Sequence, residues 1–223
     1  MIIDSRYEVL YPVINPYGVN SIKNEPMLFN CDMGHARDLG GPITREVLSK
    51  LPDDWQDVPV VVDSRVHMLM PGWYPCIPGW HHDDVPRTRA DGQPNYGPGQ
   101  CRSEHIFALV NGNICPTAIA TGAIDFVEPE LGKVIYREWH PVVERWIACG
   151  LFKKEFVPSN RLIKFDDRTW HTGTPAVENG WRFFIRISRY FSPDGKPIQR
   201  GNERTNEVRR QVQVYMDNPN DGW

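Results

Sequence analysis

Six consecutive residues, Gly79-Trp80-His81-His82-Asp83-Asp84, set two imidazoles and two carboxylates side by side at the end of a segment rich in Trp, Tyr, Pro and Ile. In an extended strand, residues two apart share a face, so His81 with Asp83, or His82 with Asp84, can point into one cavity. An imidazole nitrogen beside a carboxylate oxygen is a clamp for a borderline divalent ion. A third ligand from elsewhere would complete one face of the ion and leave its other positions open.

Seven histidines supply the candidates for that third ligand. His35, His67, His105 and His140 show no sequence relation to the pair. His171 does: it follows the strand-like Leu162-Ile163-Lys164-Phe165 by a short polar turn, at a strand end from which a side chain reaches into a barrel mouth. Downstream, Trp181 to Ser188 alternates cleanly, with Phe183, Ile185 and Ile187 on one face and Arg182, Phe184, Arg186 and Ser188 on the other. If the arginine face meets the core, two guanidiniums enter a pocket and require anionic partners, because an unpaired buried charge is prohibitive. A dicarboxylate would satisfy them through the planar, two-pronged geometry of arginine.

The elements that must position these groups are mostly strands. Tyr7 to Tyr11 reads as an edge strand among the turn formers of the first forty residues. Ile43 to Leu51 has helical spacing between Pro42 and Pro52. A β-branched run from Val58 to Met70 opens the strand-rich part, and Pro71 to Gly79 bends toward the histidine pair. Val85 to Gln100, rich in Gly and Pro, reads as a mobile loop able to shield a site. Strands are expected at His105 to Val110, Ile114 to Phe126, Val134 to Tyr136, Leu151 to Val157, Arg161 to Phe165 and Trp181 to Phe191. A helix is expected over Pro141 to Gly150, and Val208, Val212 and Tyr215 hint at a terminal one. Many short strands with few helices point to a mainly β fold, a jelly roll. We expect one domain over 1–223, with its core at about 58–191 and a C-terminal extension over 192–223.

Composition narrows the function classes. At 223 residues and a formal charge of −3, the chain has no global field favouring nucleic acid or membrane. A local basic groove would still leave nucleic acid open, though a small molecule is the favoured partner. Five widely spaced cysteines without a C-x-x-C pair (Cys31, Cys76, Cys101, Cys115, Cys149) argue against a disulfide framework or zinc knuckle, and suit a reducing, cytoplasmic setting. No apolar run is long enough to span a bilayer, and Met1 to Arg6 lacks signal-peptide character. Composition says nothing about oligomeric state.

The order His-x-Asp, a distant His, and an Arg eleven residues beyond it resembles the iron(II)/2-oxoglutarate-dependent dioxygenases. Here the pattern is His81-His82-Asp83, His171 and Arg182, with Trp80 before the first histidine and Phe165-Asp166-Asp167 leading into Trp170-His171-Thr172-Gly173. The resemblance covers roughly residues 60 to 190 and is similar to both the phytanoyl-hydroxylase-like and the taurine-dioxygenase-like branches. It implies a double-stranded β-helix with a few flanking helices, Fe(II) on His81, Asp83 and His171, and 2-oxoglutarate as cosubstrate with its far carboxylate on Arg182. The reaction implied is hydroxylation of a C–H bond with release of succinate and carbon dioxide. His82 with Asp84 satisfies the same spacing; Trp80 favours the first pair by resemblance. Arg186 shares the strand face of Arg182 and competes for the cosubstrate or an anionic substrate. The alternative is a cupin-like metal-binding jelly roll without oxygenase activity, though the usual cupin order of His-x-His, Glu and a later His is absent.

Overall fold

The structure, a computed structural model, describes residues 1–199, 206–210 and 212–216. Its elements are, in order, β1 (Ile2–Ser5), β2 (Tyr7–Val13), α1 (Val19–Lys23), β3 (Met27–Phe29), α2 (Met33–Leu39), α3 (Pro42–Ser49) and β4 (Val60–Leu69). Then come β5 (Arg102–Val110), β6 (Thr117–Asp125), α4 (Ile135–Ala148), β7 (Lys153–Phe156), β8 (Arg161–Asp166), β9 (Trp170–Gly173), β10 (Gly180–Phe191), β11 (Pro197–Ile198) and β12 (Glu207–Arg209). The chain is mainly β, as its alternating segments imply.

Strand order defines the architecture. One sheet runs β4-β10-β5-β8-β2, with β11 continuing the β4 edge of β10. The other has β6 at its centre, with β7 on one side and β9 and β1 in succession on the other. An antiparallel bridge from His81 to His171 adds the His81 segment outside β9. From β4 onward the chain therefore passes between sheets: β4, then the His81 segment, β5, then β6 and β7, β8, then β9, and finally β10. This antiparallel winding is the double-stranded β-helix, or jelly roll.

Three apolar layers hold it. Phe183, Ile185 and Ile187 of β10 pack with Val60 and Val62 of β4, Ile106 and Ala108 of β5, and the apolar faces of α1, α2 and α3. Each such side chain contributes about 1.5–3 kcal/mol by leaving water. On the second sheet, Ala118, Ala120 and Trp170 pack under Tyr136, Trp139 and Val143 of α4. Between the sheets lie Phe107, Leu109, Ile119, Ile163 and Phe165. The other face of β10 points into this interior, so the strand is buried on both sides.

The helices differ from expectation in instructive ways. Pro42 opens α3 as its position suggests, and the carboxylate of Glu25 accepts the backbone N–H groups of Ile43 and Thr44, a cap from outside the helix. The first forty residues hold α1 and α2 besides their strands. Both are short, and α2 is started by Asp32 accepting the His35 N–H at 2.8 Å rather than by a long apolar period. Val134 to Tyr136 is not a strand. The α4 helix starts at Ile135 because Ile135, Tyr136, Trp139 and Val143 form one buried stripe, and Pro141 is accommodated inside it on the exposed face. Gly150, at φ +77°, ends the helix with its N–H on Ile147 O while the Leu151 N–H reaches Trp146 O.

The segment from Val85 to Gln100 has no regular structure, yet it is tied down. Tyr96 is buried in the α4 layer, Arg89 pairs with Asp91 and Glu128, and Gln93 Oε1 accepts the Ile135 N–H. Nor is there a helix at Val208 to Tyr215: β12 pairs with β3, and Tyr215 bridges Tyr74. Residues 217–223 of the expected C-terminal extension lie outside the described residues. No cysteine among the described residues is in a disulfide. Among the described residues no helix is long and apolar enough to cross a membrane.

Candidate metal centre

The His81 segment is set by its neighbours on both sides. Trp80 is fully buried, its indole N–H donating to Glu144 Oε1 at 2.5 Å and its backbone N–H to His140 Nδ1 at 3.1 Å, both on α4. His81 and His171 then exchange two backbone hydrogen bonds, at 3.1 and 3.2 Å, which brings their ring centroids to 4.5 Å. On β9, Trp170 points to the α4 layer, so His171 points the other way, into the interior.

One nitrogen from each of His81 and His171 and one oxygen from Asp83 lie within 4.8 Å of one another. His171 Nε2 stands 3.3 Å from Asp83 Oδ2, and His81 Nε2 stands 3.9 Å from Asp83 Oδ1. Metal–ligand bonds of about 2.1 Å put neighbouring donors of an octahedron about 3 Å apart. The spacing is thus that of a site needing only small side-chain adjustments.

Tautomers make the case stronger. His81 Nδ1 lies 2.8 Å from the Gly79 carbonyl, and His171 Nδ1 lies 2.9 Å from the Thr169 carbonyl. A carbonyl can only accept, so each Nδ1 carries a proton there, which leaves Nε2 as the nitrogen each ring turns toward Asp83 and would offer to an ion. Burial pushes the His81 pKa down to about 4, and the nearby His171 adds to this, so the ring is neutral at pH 7. Asp83 is held well below the usual carboxylate range by Arg186, His171 and His81, against the opposing effect of burial. Two imidazole nitrogens and a carboxylate oxygen are the donor set a divalent transition ion takes. The residues present therefore fit such an ion.

The alternative pair does not converge. His82 turns to the α4 layer, stacking on Trp170 at 3.8 Å between centroids and meeting the Tyr96 hydroxyl at 2.6 Å from Nδ1. Asp84, at φ +56°, accepts the Tyr190 hydroxyl at 2.9 Å. The backbone turn at Asp84 breaks the period of two that would have aligned it with His82.

The arginine face of β10 does enter the interior. Arg182, Phe184 and Arg186 line a cavity of about 300 Å³ together with His81, Asp83 and His171. Arg182 is only 3% exposed; one guanidinium nitrogen donates to the Cys115 carbonyl, and its Nε has no partner. Among the described residues no carboxylate pairs with it. Arg186 is placed differently. It donates to Asp83 Oδ2 and lies 3.8 Å from Asp63 and 3.7 Å from Asp84, whose charges hold its guanidinium protonated despite burial. It is engaged with a ligand candidate and so does not offer the cosubstrate the open grip that Arg182 does.

Sequence reasoning missed the adjoining wall. Arg182 pairs with His67, Phe184 with Arg65 and Arg186 with Asp63 across the β10–β4 ladder. All three partners face the same cavity. The signal was present: Asp63, Arg65 and His67 recur every second residue within an otherwise apolar run.

Four buried imidazoles give the metal-free protein a defined acid sensitivity. Burial lowers His67 to about 3, His81 and His105 to about 4, and His82 well below its ordinary value. An unfolded chain takes up these protons near pH 6.5, whereas the folded one does so only near pH 4 or lower. Stability present above pH 6.5 is therefore lost as the pH falls toward 4, by up to about 1.4 kcal/mol per imidazole per pH unit. Urea midpoints for the metal-free protein should fall sharply between pH 7.5 and 5.5. Equal midpoints would contradict these burial assignments.

No protein-family model matches the chain, and no curated protein does either. Solved structures similar to it include ThoJ, a non-heme monooxygenase, 10% identical with a TM-score of 0.38 and with 87% of this chain and 76% of that one covered. AviO1 from Streptomyces viridochromogenes Tue57 is 17% identical, with 87% of this chain and 93% of that one covered and a TM-score of 0.43. HygX from Streptomyces hygroscopicus, solved with iron bound, is 13% identical, with 85% of each chain covered and a TM-score of 0.36. EvdO2 from Micromonospora carbonacea var. aurantiaca, complexed with 2-oxoglutarate, is 11% identical, with 74% of this chain and 65% of that one covered and a TM-score of 0.37. The chain thus spans just under two thirds of EvdO2, and 51% of an N-substituted L-amino acid dioxygenase from Burkholderia ambifaria AMMD. Likenesses this distant decide nothing about the reaction; the strand order and the side chains carry the fold and the site.

Proposed function

We propose that the chain is an iron(II)- and 2-oxoglutarate-dependent dioxygenase that hydroxylates a C–H bond of a small molecule. The observation that carries this is the joint placement of a tautomer-locked His81-Asp83-His171 cluster and an unpaired, buried Arg182 on the walls of one cavity. With iron and the keto acid bound, the chemistry supplied is oxidative decarboxylation of 2-oxoglutarate to succinate and carbon dioxide, coupled to hydroxylation.

The protein's own residues have three tasks in this reading. His81, Asp83 and His171 hold the ion, and the Gly79 and Thr169 carbonyls hold the two imidazoles in the ligating tautomer. Arg186 keeps Asp83 ionised and fixes one of its oxygens. Arg182, which lines the cavity and whose Nε has no partner, receives the far carboxylate of the cosubstrate. Phe107, Phe165 and Phe184 exclude water from the same space.

A cupin-like metal protein would use the same histidines and Asp83, with no use for an unpaired buried guanidinium. Incubation with Fe(II), ascorbate and 2-oxoglutarate, without any primary substrate, separates the two. The dioxygenase reading expects slow, iron-dependent formation of succinate. Metal binding with neither succinate nor measurable affinity for 2-oxoglutarate would leave the cupin-like alternative.

A further inference from the structure

We propose that the primary substrate carries a compact oxyanion, a carboxylate, sulfonate or phosphate, and that Arg65 and Arg209 bind it in a second cavity beside the metal centre; this rests on the dioxygenase reading above. That cavity, of about 330 Å³, shares Arg65, His67, Pro75, Cys76 and His81 with the first, so a molecule seated in it can extend to the cluster. Its outer wall is the C-terminal segment, through Arg209, Val212, Gln213 and Tyr215. Pairing of β12 with β3 and the Tyr74–Tyr215 bridge hold that segment in place.

The guanidiniums in this wall are only partly engaged. Two of them line the second cavity, and among the described residues no carboxylate lines it. Arg65 uses Nη1 on the Leu28 and Ser64 carbonyls, at 3.1 and 2.7 Å, and its other two nitrogens have no partner among the described residues. Arg209 pairs through Nε with Glu207 at 3.5 Å, and its terminal nitrogens have no hydrogen-bond partner among the described residues. Both guanidiniums approach the ring of Phe29, at 5.6 and 3.4 Å, so one phenyl group gathers two like charges. Burial and repulsion from Arg209 and Arg186 lower the Arg65 pKa, while Asp63 opposes them. An oxyanion set between the two forks would relieve that repulsion and take the free donors in pairs.

His67 adds an independent observation. It is 2% exposed, lies on the wall of both cavities, and has only an interaction with the Pro75 backbone that falls short of a well-formed hydrogen bond. A buried imidazole without a partner is costly unless a ligand supplies one. Held neutral, it has one N–H to give and one lone pair to receive, suited to an anion oxygen or a neighbouring hydroxyl. Four guanidiniums, of Arg65, Arg182, Arg186 and Arg209, reach the two cavities, where Asp63 and Asp83 are the carboxylates among the described lining residues, with Asp84 beside Arg186 and Glu207 beside Arg209.

The test uses the full chain loaded with Zn(II) and N-oxalylglycine, an unreactive analogue of 2-oxoglutarate, so that the Arg182 subsite is filled. Equilibrium dialysis with labelled inorganic phosphate should show one saturable site per chain, displaced by methanesulfonate or acetate, with the order of displacement naming the preferred oxyanion. Arg65→Gln and Arg209→Gln should each weaken phosphate at least tenfold. Arg182→Gln should weaken N-oxalylglycine and leave phosphate in place. Arg209→Gln, on the outer segment, keeps the test valid if loss of the Arg65 bond to Leu28 unfolds the protein. Phosphate bound equally by wild type and Arg209→Gln would overturn the inference while leaving the metal and cosubstrate reading intact, as would loss of N-oxalylglycine on changing Arg65 or Arg209. Failure of N-oxalylglycine to bind the Zn(II)-loaded wild type would instead remove the dioxygenase reading, and with it this assignment.

Discussion

Asp83→Ala is expected to do two separable kinds of damage. It removes the carboxylate that faces both imidazoles, and three-ligand binding becomes two; the affinity for Fe(II), Co(II) or Zn(II) should fall by at least a hundredfold. It also strands Arg186, which is largely buried and donates directly to Asp83. Removing one partner of a buried ion pair costs about 3–5 kcal/mol, because the other charge is left uncompensated. Asp63 and Asp84, at 3.8 and 3.7 Å, moderate that loss without replacing the contact. Asp83→Asn, which keeps the shape and an acceptor oxygen for Arg186, should recover much of the stability and little of the metal affinity. Urea unfolding and metal titration on the two variants read the effects independently. Retention of wild-type metal affinity by either variant would contradict the assignment of Asp83.

Arg182→Ala should produce the second large effect, confined to the cosubstrate. Its guanidinium is 3% exposed and has a nitrogen with no partner, so in the free protein it carries an unmet demand for an anion. Deleting a charge-assisted, two-pronged contact to a carboxylate removes about 3 kcal/mol or more, which is a hundredfold or greater rise in the 2-oxoglutarate concentration needed for half-maximal succinate formation. Metal affinity should change little, since Arg182 touches none of the three ligand candidates. Arg182→Lys restores charge without the planar fork and should recover only part of the loss. If Arg186→Gln, and not Arg182→Ala, raised the requirement for 2-oxoglutarate, the two arginines would have to exchange roles.

Both effects rest on groups whose types and order are visible in the chain itself. His81 and Asp83 are readable because a strand's period of two is short-range, and the clean alternation of Trp181 to Ser188 announces a strand with two distinct faces. Which face met the interior was not readable, because both are buried: one by helices α1 to α3, the other by the opposite sheet. The register between His81-Asp83 and His82-Asp84 was equally closed to pattern reasoning. In the structure the two pairs part through the positive φ at Asp84 and the packing of His82 on Trp170, 88 residues away. The wall formed by Asp63, Arg65 and His67 was overlooked for a different reason. Their neighbours are β-branched and apolar, so the run reads as an ordinary core strand unless the polar positions are taken as a set. The early start of α4 shows the same limit, since Ile135 and Tyr136 favour strands locally and are drawn into a helix by the layer they bury against.

The most direct test of the account is to locate the ion. Crystals of the protein grown with Mn(II), with diffraction measured at a wavelength where manganese scatters anomalously, should show one peak within about 2.3 Å of His81 Nε2, His171 Nε2 and a carboxylate oxygen of Asp83. A fully occupied peak bound elsewhere, or an empty cluster in crystals holding saturating Mn(II), would contradict it.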